Sequence, residues 1–338
     1  MRKAILAVFV LVSLSFLAIT GYWLWSAEAL EAGLEEWRIA QEGEGYRITY
    51  EEPQLSGYPF TLLMSLGAPN VESPNGWRWQ GQTFRLRSNL LDPTTLTMES
   101  DGRQEVFLSP SGLGGESRLQ ANDSSLWIRL DRYGQAEAGE GELFGLSESS
   151  ANGTSLQGKS IAFALQKIPG PENAGQSSVT VNVTVEALTL PQLSIPLIGQ
   201  VLKQLELEFV LHGPLIQNFT ANELEGWRDR GGVLEVANLF VDWEPLGLTG
   251  SGRLGLDQQR RIAGQLDIWW RNLPKLIDQA ASQGLLQPNA ALPLKVGIFA
   301  LPSRRAADGA AERKLPLIFK NGQAFLGPVP LGPLSPLP

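Results

Sequence analysis

A mainly β protein is what this sequence predicts: an N-terminal transmembrane helix and an amphipathic helix, then a long curved antiparallel sheet with a few short helices. Three observations predict it. An uncharged apolar run, Ala4 to Trp25, follows directly on Arg2 and Lys3; from Tyr46 onward apolar residues return at every second position in one short segment after another. Gly- and Pro-rich breaks separate those segments, where a βαβ chain would place helices.

The run comes first. A helix rises about 1.5 Å per residue, so about 20 apolar residues cross a hydrocarbon core of about 30 Å. Tyr22, Trp23 and Trp25 stand where an interfacial aromatic belt belongs. Residues 1–25 therefore read as a cytoplasmic tip and transmembrane anchor, with residues 4–25 in the membrane. Basic residues precede the run, and Glu28, Glu31, Glu35 and Glu36 follow it, so the positive-inside rule leaves the N-terminus in the cytoplasm and exports the rest. Ala27-Glu28-Ala29 has the form of a signal-peptidase site, which makes cleavage after Ala29 the rival reading.

Residues 26–42 read as an amphipathic helix capped by Ser26, with Leu30, Leu34 and Trp37 on its apolar face. Residues 43–330 form the antiparallel β body, with a division into two sub-sheets expected near 190–215. Alternation predicts strands at Tyr46 to Tyr50, Phe60 to Leu66, Trp77 to Trp79, Thr83 to Arg87, Glu105 to Leu108, Leu126 to Leu130, Ser160 to Leu165 and Ser178 to Leu190. Gly67 to Gly76 and Gly134 to Ser150 read as loops or hairpin ends. A short helix is expected over Leu197 to Gln204, then a strand to Leu211. Thr220 and Glu223 have capping-box spacing for a helix over Ala221 to Arg230. Strands follow at Val233 to Trp243, Gly250 to Asp257 and Ala263 to Trp270, and a helix after Asn272 has Pro274 in its first turn. Asn321-Gly322 predicts a tight hairpin within Lys314 to Phe325. Residues 331–338 are a Pro-rich tail that cannot extend a central strand.

Several chemistries find little support. A net charge of −8 argues against nucleic acid. There is no cysteine, so neither a disulfide nor a thiolate metal site exists. His212 is the one histidine, too few for a multi-His metal site, and no GxSxG elbow accompanies it. Gly250-Ser-Gly252-Arg-Leu-Gly255 matches the dinucleotide pattern GxGxxG but lacks the helix that pattern needs, so its glycines read as relief of crowding in a strand. Asp242, Glu244, Asp257 and Asp267 sit at strand ends and turns, where solvated carboxylates are expected. The triplets at Asn122, Asn152, Asn182 and Asn218 matter only in a glycosylating pathway. No catalytic residue, metal or cofactor is expected. What stands out is Trp77, Trp79, Phe84, Trp127, Trp227, Trp243, Trp269 and Trp270, which form either a filled core or an apolar groove able to take an acyl chain.

The anchor ending in Tyr-Trp-Leu-Trp25, the helix with Trp37, Gly57-Tyr-Pro-Phe60, the run Val241 to Asp257 and the ending Leu315 to Pro330 together resemble the domain of unknown function 2125 family, uncharacterised envelope proteins of Gram-negative bacteria. The Gly-x-Leu-x-Leu-Asp alternation is also similar to AsmA-like envelope proteins implicated in lipid traffic. The resemblance implies a single-pass inner-membrane protein with a periplasmic body, and transfers no catalytic residues. The expectation is a non-enzymatic protein of envelope maintenance that holds a lipid or amphipathic molecule in an apolar β groove. The alternative is a scaffold that binds another envelope protein through a strand edge or the acidic helix.

Overall fold

The computed structural model describes residues 2–108, 117–150, 155–168, 177–190, 198–214, 220–284, 286–306 and 309–337. The chain divides into two compact units, Met1–Ser155 and Leu156–Pro338. The division does not fall at 190–215, because strands pair across that stretch from Ser177 with Gly213 to Thr189 with Val201.

In the N-terminal unit, α1 (Arg2–Gly43) is one helix of 42 residues. Ser26 lies inside it rather than capping a second helix, since nothing between Gly21 and Gly33 interrupts the backbone ladder. The strands that follow are β1 (Arg47–Thr49), β2 (Gln54–Ser56), β3 (Thr61–Gly67), β4 (Asn70–Glu72), β5 (Trp77–Gln80), β6 (Thr83–Asn89), β7 (Asp92–Asp101), β8 (Gln104–Leu108), β9 (Ser117–Ala121), β10 (Asp123–Leu130) and β11 (Ala136–Ser150). Their pairing makes an antiparallel meander of six long strands, five of which are broken once. β1 and β2 lie along β4 and β3, these along β5 and β6, these along β8 and β7, these along β9 and β10, and the last pair along the unbroken β11.

The breaks are neighbours. Ala68 N–H donates to Gln82 O at 2.9 Å, Gly81 N–H to Pro69 O at 3.0 Å, Gly102 N–H to the Asp123 carboxylate at 3.2 Å, and Asn122 N–H to Phe144 O at 2.8 Å. They line up as a crease across the sheet. Gly102 and Gly145 take positive φ there (76° and 60°), and a Cβ at either would collide with Gln82 or Asn122. The stretch Gly134 to Ser150 is thus strand where a loop is expected, held by cross-strand partners on both sides rather than by its own propensity.

One face of α1 docks on this sheet through positions 16, 20, 23, 27, 30, 34, 37 and 41, spaced alternately four and three. Ala27 packs with Leu62 and Leu90, flanked by Trp23, Leu30 and Leu55. The apolar side chains from Ile5 to Leu17 are largely exposed.

The C-terminal unit contains β12 (Ser155–Ile168), β13 (Ser177–Thr189), β14 (Val201–Gly213), α2 (Ala221–Asp229), β15 (Val233–Trp243), β16 (Leu246–Leu256), β17 (Ile262–Arg271), α3 (Leu273–Ser282), α4 (Pro288–Phe299), β18 (Ser303–Arg305), β19 (Ala311–Lys314), β20 (Leu317–Lys320), β21 (Gln323–Leu326) and β22 (Val329–Pro333). Each strand from β12 to β17 pairs antiparallel with the next. β17 then takes β19 and β20 along one edge, and β18 and the hairpin β20–β21–β22 extend the sheet. The core gathers Val236, Leu266 and Ile268 against Leu207, Leu239, Leu248, Leu254, Trp270, Leu317 and Phe319.

One expectation changes here and two elements are added. Val201 to Gln204 open β14 instead of closing a helix, because Leu202 and Gln204 have ladder partners on β13; Leu197 lies outside the described residues. The start of the Pro-rich tail is an edge strand, β22, a position that proline tolerates. α4 was hidden by Pro293 within it. Thr220 caps α2 and Asn321 and Gly322 take φ of 52° and 71°, as their residue types predict.

Candidate functional site

The crease and α1 enclose an apolar cleft. Leu34 and Trp37 come from the helix; Ile48, Leu66, Val71, Trp79 and Phe84 come from both sides of the crease, and Tyr50, Pro69 and Asn70 complete a cavity of about 250 Å³ whose walls expose only apolar atoms. A mouth of about 500 Å³ adjoins it, sharing Trp37, Ile48, Val71 and Trp79 and adding Gln41, Tyr46, Trp77 and Val106. Trp79 meets Phe84 edge-on at 6.4 Å, and Trp77 meets Tyr46 at 6.1 Å. Burial pushes the Tyr50 phenol up, and the Glu35 carboxylate acts in the same direction. At the rim, Arg38 on α1 is held between Glu35 at 2.5 Å and Glu42 at 2.6 Å, so the helix presents no free cation there.

The structure therefore brings together Trp77, Trp79, Phe84, Leu34 and Trp37, and sets the other candidates apart. Leu30 packs below the cavity against the Ala27 cluster. Trp127 sits beside Glu140 and Thr97 on the sheet face opposite to Ile128, and its indole donates to Glu140 at 3.2 Å. Trp227 on α2 is buried and donates to His212 O at 2.9 Å; it fills a core position. Trp243 donates to Gly199 O at 2.5 Å, Trp269 stacks under Arg304 at 4.4 Å, and Trp270 belongs to the C-terminal core and donates to Leu315 O at 2.8 Å. Tyr22 and Trp25 stack on each other, 6.0 Å apart, while Trp23 turns inward and donates to Thr61 O at 2.9 Å.

Sequence reading missed Val71 and Leu66 as partners because of phase. They stand five positions apart, as do Trp79 and Phe84, and an odd spacing would put each pair on opposite faces of an unbroken strand. The crease resets the alternation.

The other chemistry-bearing groups are engaged structurally. His212 links Ser178 at 2.9 Å and Glu235 at 3.3 Å, an order reminiscent of a hydrolytic triad. The three lie on adjacent strands with side chains in partial contact with solvent, Arg253 also holds Glu235 at 3.2 Å, and none of them lines a cavity described here. Glu244 is paired with Lys203, and hydrogen bonds from Lys314 and then Gln265 hold the Asp267 carboxyl below its ordinary value. Burial opposes the shift at Asp257, yet hydrogen bonds from Arg261 and Gln259 still hold its carboxyl low. An open hollow of about 830 Å³, with walls of mixed polarity, lies between Gly199 to Lys203, Glu244 and α3. Glu244 and its partner Lys203 line this hollow, whereas Asp257 and Asp267 line neither it nor the apolar cleft. The glycines of Gly250 to Gly255 lie inside β16, where a Cβ at Gly252 would strike the β17 backbone. Asn122 belongs to the crease and Asn182 to mid-strand β13, while Asn152 and Asn218 lie outside the described residues. Among the described residues, no group of three His, Asp or Glu side chains is placed to hold a metal ion.

Fold and cleft together define a class: a mainly β protein whose creased sheet is roofed by a helix that, at its N-terminal end, is long and apolar enough to cross a membrane. A family model matches residues 23–335, and the chain belongs to that family, described as "Uncharacterized protein conserved in bacteria (DUF2125)". No curated protein and no solved structure matches it.

Proposed function

We propose that the protein is a single-pass inner-membrane protein with a periplasmic body, non-enzymatic, that serves envelope maintenance by holding a lipid or amphipathic molecule in the cleft between α1 and the creased sheet. The observation that carries this reading is the wholly apolar cavity roofed by Leu34 and Trp37, on the same helix whose preceding turns are apolar and exposed. Ligand sites are concave and mostly apolar with few polar groups, and the cavity and its mouth have that character. Retention of the anchor is supported by Ala27, the first residue of the would-be cleavage motif, buried against Leu62 and Leu90, and by a family match that begins at Trp23. Native mass spectrometry of the detergent-extracted chain tests the reading. A lipid-sized adduct is expected on the wild type and its loss on Leu34→Trp, which fills the cavity; a clean apo mass under lipid-retaining conditions would count against it.

A second reading, a scaffold for another envelope protein, is favoured by α4, where Leu292, Val296 and Phe299 are exposed at helical spacing. In-cell crosslinking from α4 to one defined protein would support that role.

A further inference from the structure

The geometry points to one end of the N-terminal unit as a lipid-facing foot, seated in the interfacial layer of the bilayer that α1 crosses. This rests on the anchor reading above and adds a contact surface to it. Three turns lie at that end: Gly57 to Phe60 between β2 and β3, Leu90-Leu91 between β6 and β7, and Asp131 to Gln135 between β10 and β11. Each presents large apolar or aromatic groups to the outside, with Tyr58 43 %, Phe60 48 %, Leu91 77 % and Tyr133 72 % exposed. At the opposite end, the described turn between β4 and β5 is Ser73-Pro-Asn-Gly76, without an apolar side chain beyond its proline.

The first turn is fixed to the apolar part of α1. Tyr58 packs edge-on against Phe16 at 6.4 Å and Trp23 at 5.8 Å, and its hydroxyl meets Thr20 Oγ1 at 2.8 Å. Gly57 O accepts from Thr61 N–H at 3.0 Å, and Leu90 N–H donates to Phe60 O at 2.8 Å, which ties the second turn to the first. Length then decides the level of this contact. Residues 4–15, before Phe16, make a helix of only about 18 Å, too short for a core of about 30 Å. A spanning α1 must therefore keep Phe16 and Thr20 within the bilayer, and Tyr58 goes with them. No residue from Gln54 to Met64 is charged. The charged groups at this end are engaged: Asp92 accepts from Thr94 at 2.6 Å and Thr95 at 3.1 Å, Asp131 accepts from Tyr133 N–H at 2.8 Å and Gln135 N–H at 2.9 Å, Glu137 pairs with Arg129 at 3.3 Å, and Arg132 lies over the Tyr133 ring at 4.7 Å. Aromatic side chains with polar tips are the residues an interface favours.

Because the chain has no cysteine, single cysteines can carry an environment-sensitive fluorophore without background. Phe60→Cys, Leu91→Cys, Asn75→Cys and Leu14→Cys in the full chain, reconstituted in phosphatidylethanolamine and phosphatidylglycerol vesicles, form the test. The foot predicts blue-shifted emission at 60 and 91, quenching by lipid-borne nitroxide, and loss of quenching by aqueous iodide; Asn75 should show the reverse. Leu14 reports the anchor. If Leu14 is shielded while 60 and 91 are quenched by iodide as Asn75 is, the foot is overturned and the anchor stands. If Leu14 is also open to iodide, the anchor reading falls and the foot with it.

Discussion

In the N-terminal unit the apolar face of the sheet is roofed by a helix that stands off at the crease, so the aromatic residues line a hollow. In the C-terminal unit the same two-residue alternation ends in contact: Val236, Leu266 and Ile268 close on neighbours from five strands, and the Trp227 indole lies against Gly232 with its N–H on His212 O. What separates them is the partner offered to the apolar face. Side chains on adjacent strands and on the short helix α2 meet one another directly, whereas a helix laid across a creased sheet leaves space at the crease.

That contrast can be broken most forcefully at Trp227. Trp227→Ala should cost about 3–5 kcal/mol in the denaturant unfolding of the full chain, the range for deleting a buried aromatic. Trp79→Ala, which only widens a hollow, should cost distinctly less. Equal losses would erase the distinction between core and cleft. Next in size is the crease: Gly145→Ala places a Cβ at positive φ against Asn122 and should cost about 1–2 kcal/mol. Gly134→Ala, also at positive φ but with open space around it, separates backbone strain from collision. Leu34→Trp should change stability by less than about 1.5 kcal/mol while removing any bound lipid, since it adds volume where a cavity already exists.

The smallest effect concerns pH. Asp267 is held below its ordinary value by Lys314 at 2.9 Å and by Gln265. A lowered folded pKa contributes stability that is present above the unfolded value, near 3.8, and is lost as pH falls through the folded one. Both groups are well exposed, so the contribution is modest. Asp267→Asn should lower stability slightly at neutral pH and leave it unchanged well below about pH 4, so that the loss of stability on acidification becomes shallower, as read by thermal melts across pH. An unchanged acid limb would show that the pair adds nothing.

Much of this was legible in the residues. The apolar run, the alternation of Tyr46, Ile48 and Tyr50, the Thr220 cap and the Asn321-Gly322 turn each act through a local rule that tertiary context did not override. The crease was not. Ala68-Pro69 and Gly81-Gln82 look like the ends of strands, because the alternation loses phase there, yet the chain continues in the same direction beside the same neighbours. The cleft was half visible for that reason: Trp77, Trp79, Trp37 and Leu34 stood out as bulky groups, while Val71 and Leu66 were assigned to unrelated segments. Trp127, Trp243 and Trp269 show the converse, since bulk alone does not say which face a side chain occupies.

The unbroken course of α1 has a mechanical consequence. At about 63 Å from Arg2 to Gly43, with its docking stripe starting at Phe16, the helix has no swivel between the part that would lie in lipid and the part that carries the sheet. A transmembrane helix tilts to match the thickness of its bilayer. Here that tilt would pass undiminished into the attitude of the N-terminal unit, as the lean of a mast sets the angle of what is rigged to it, so that membrane thickness would set the direction in which the mouth of the cleft opens.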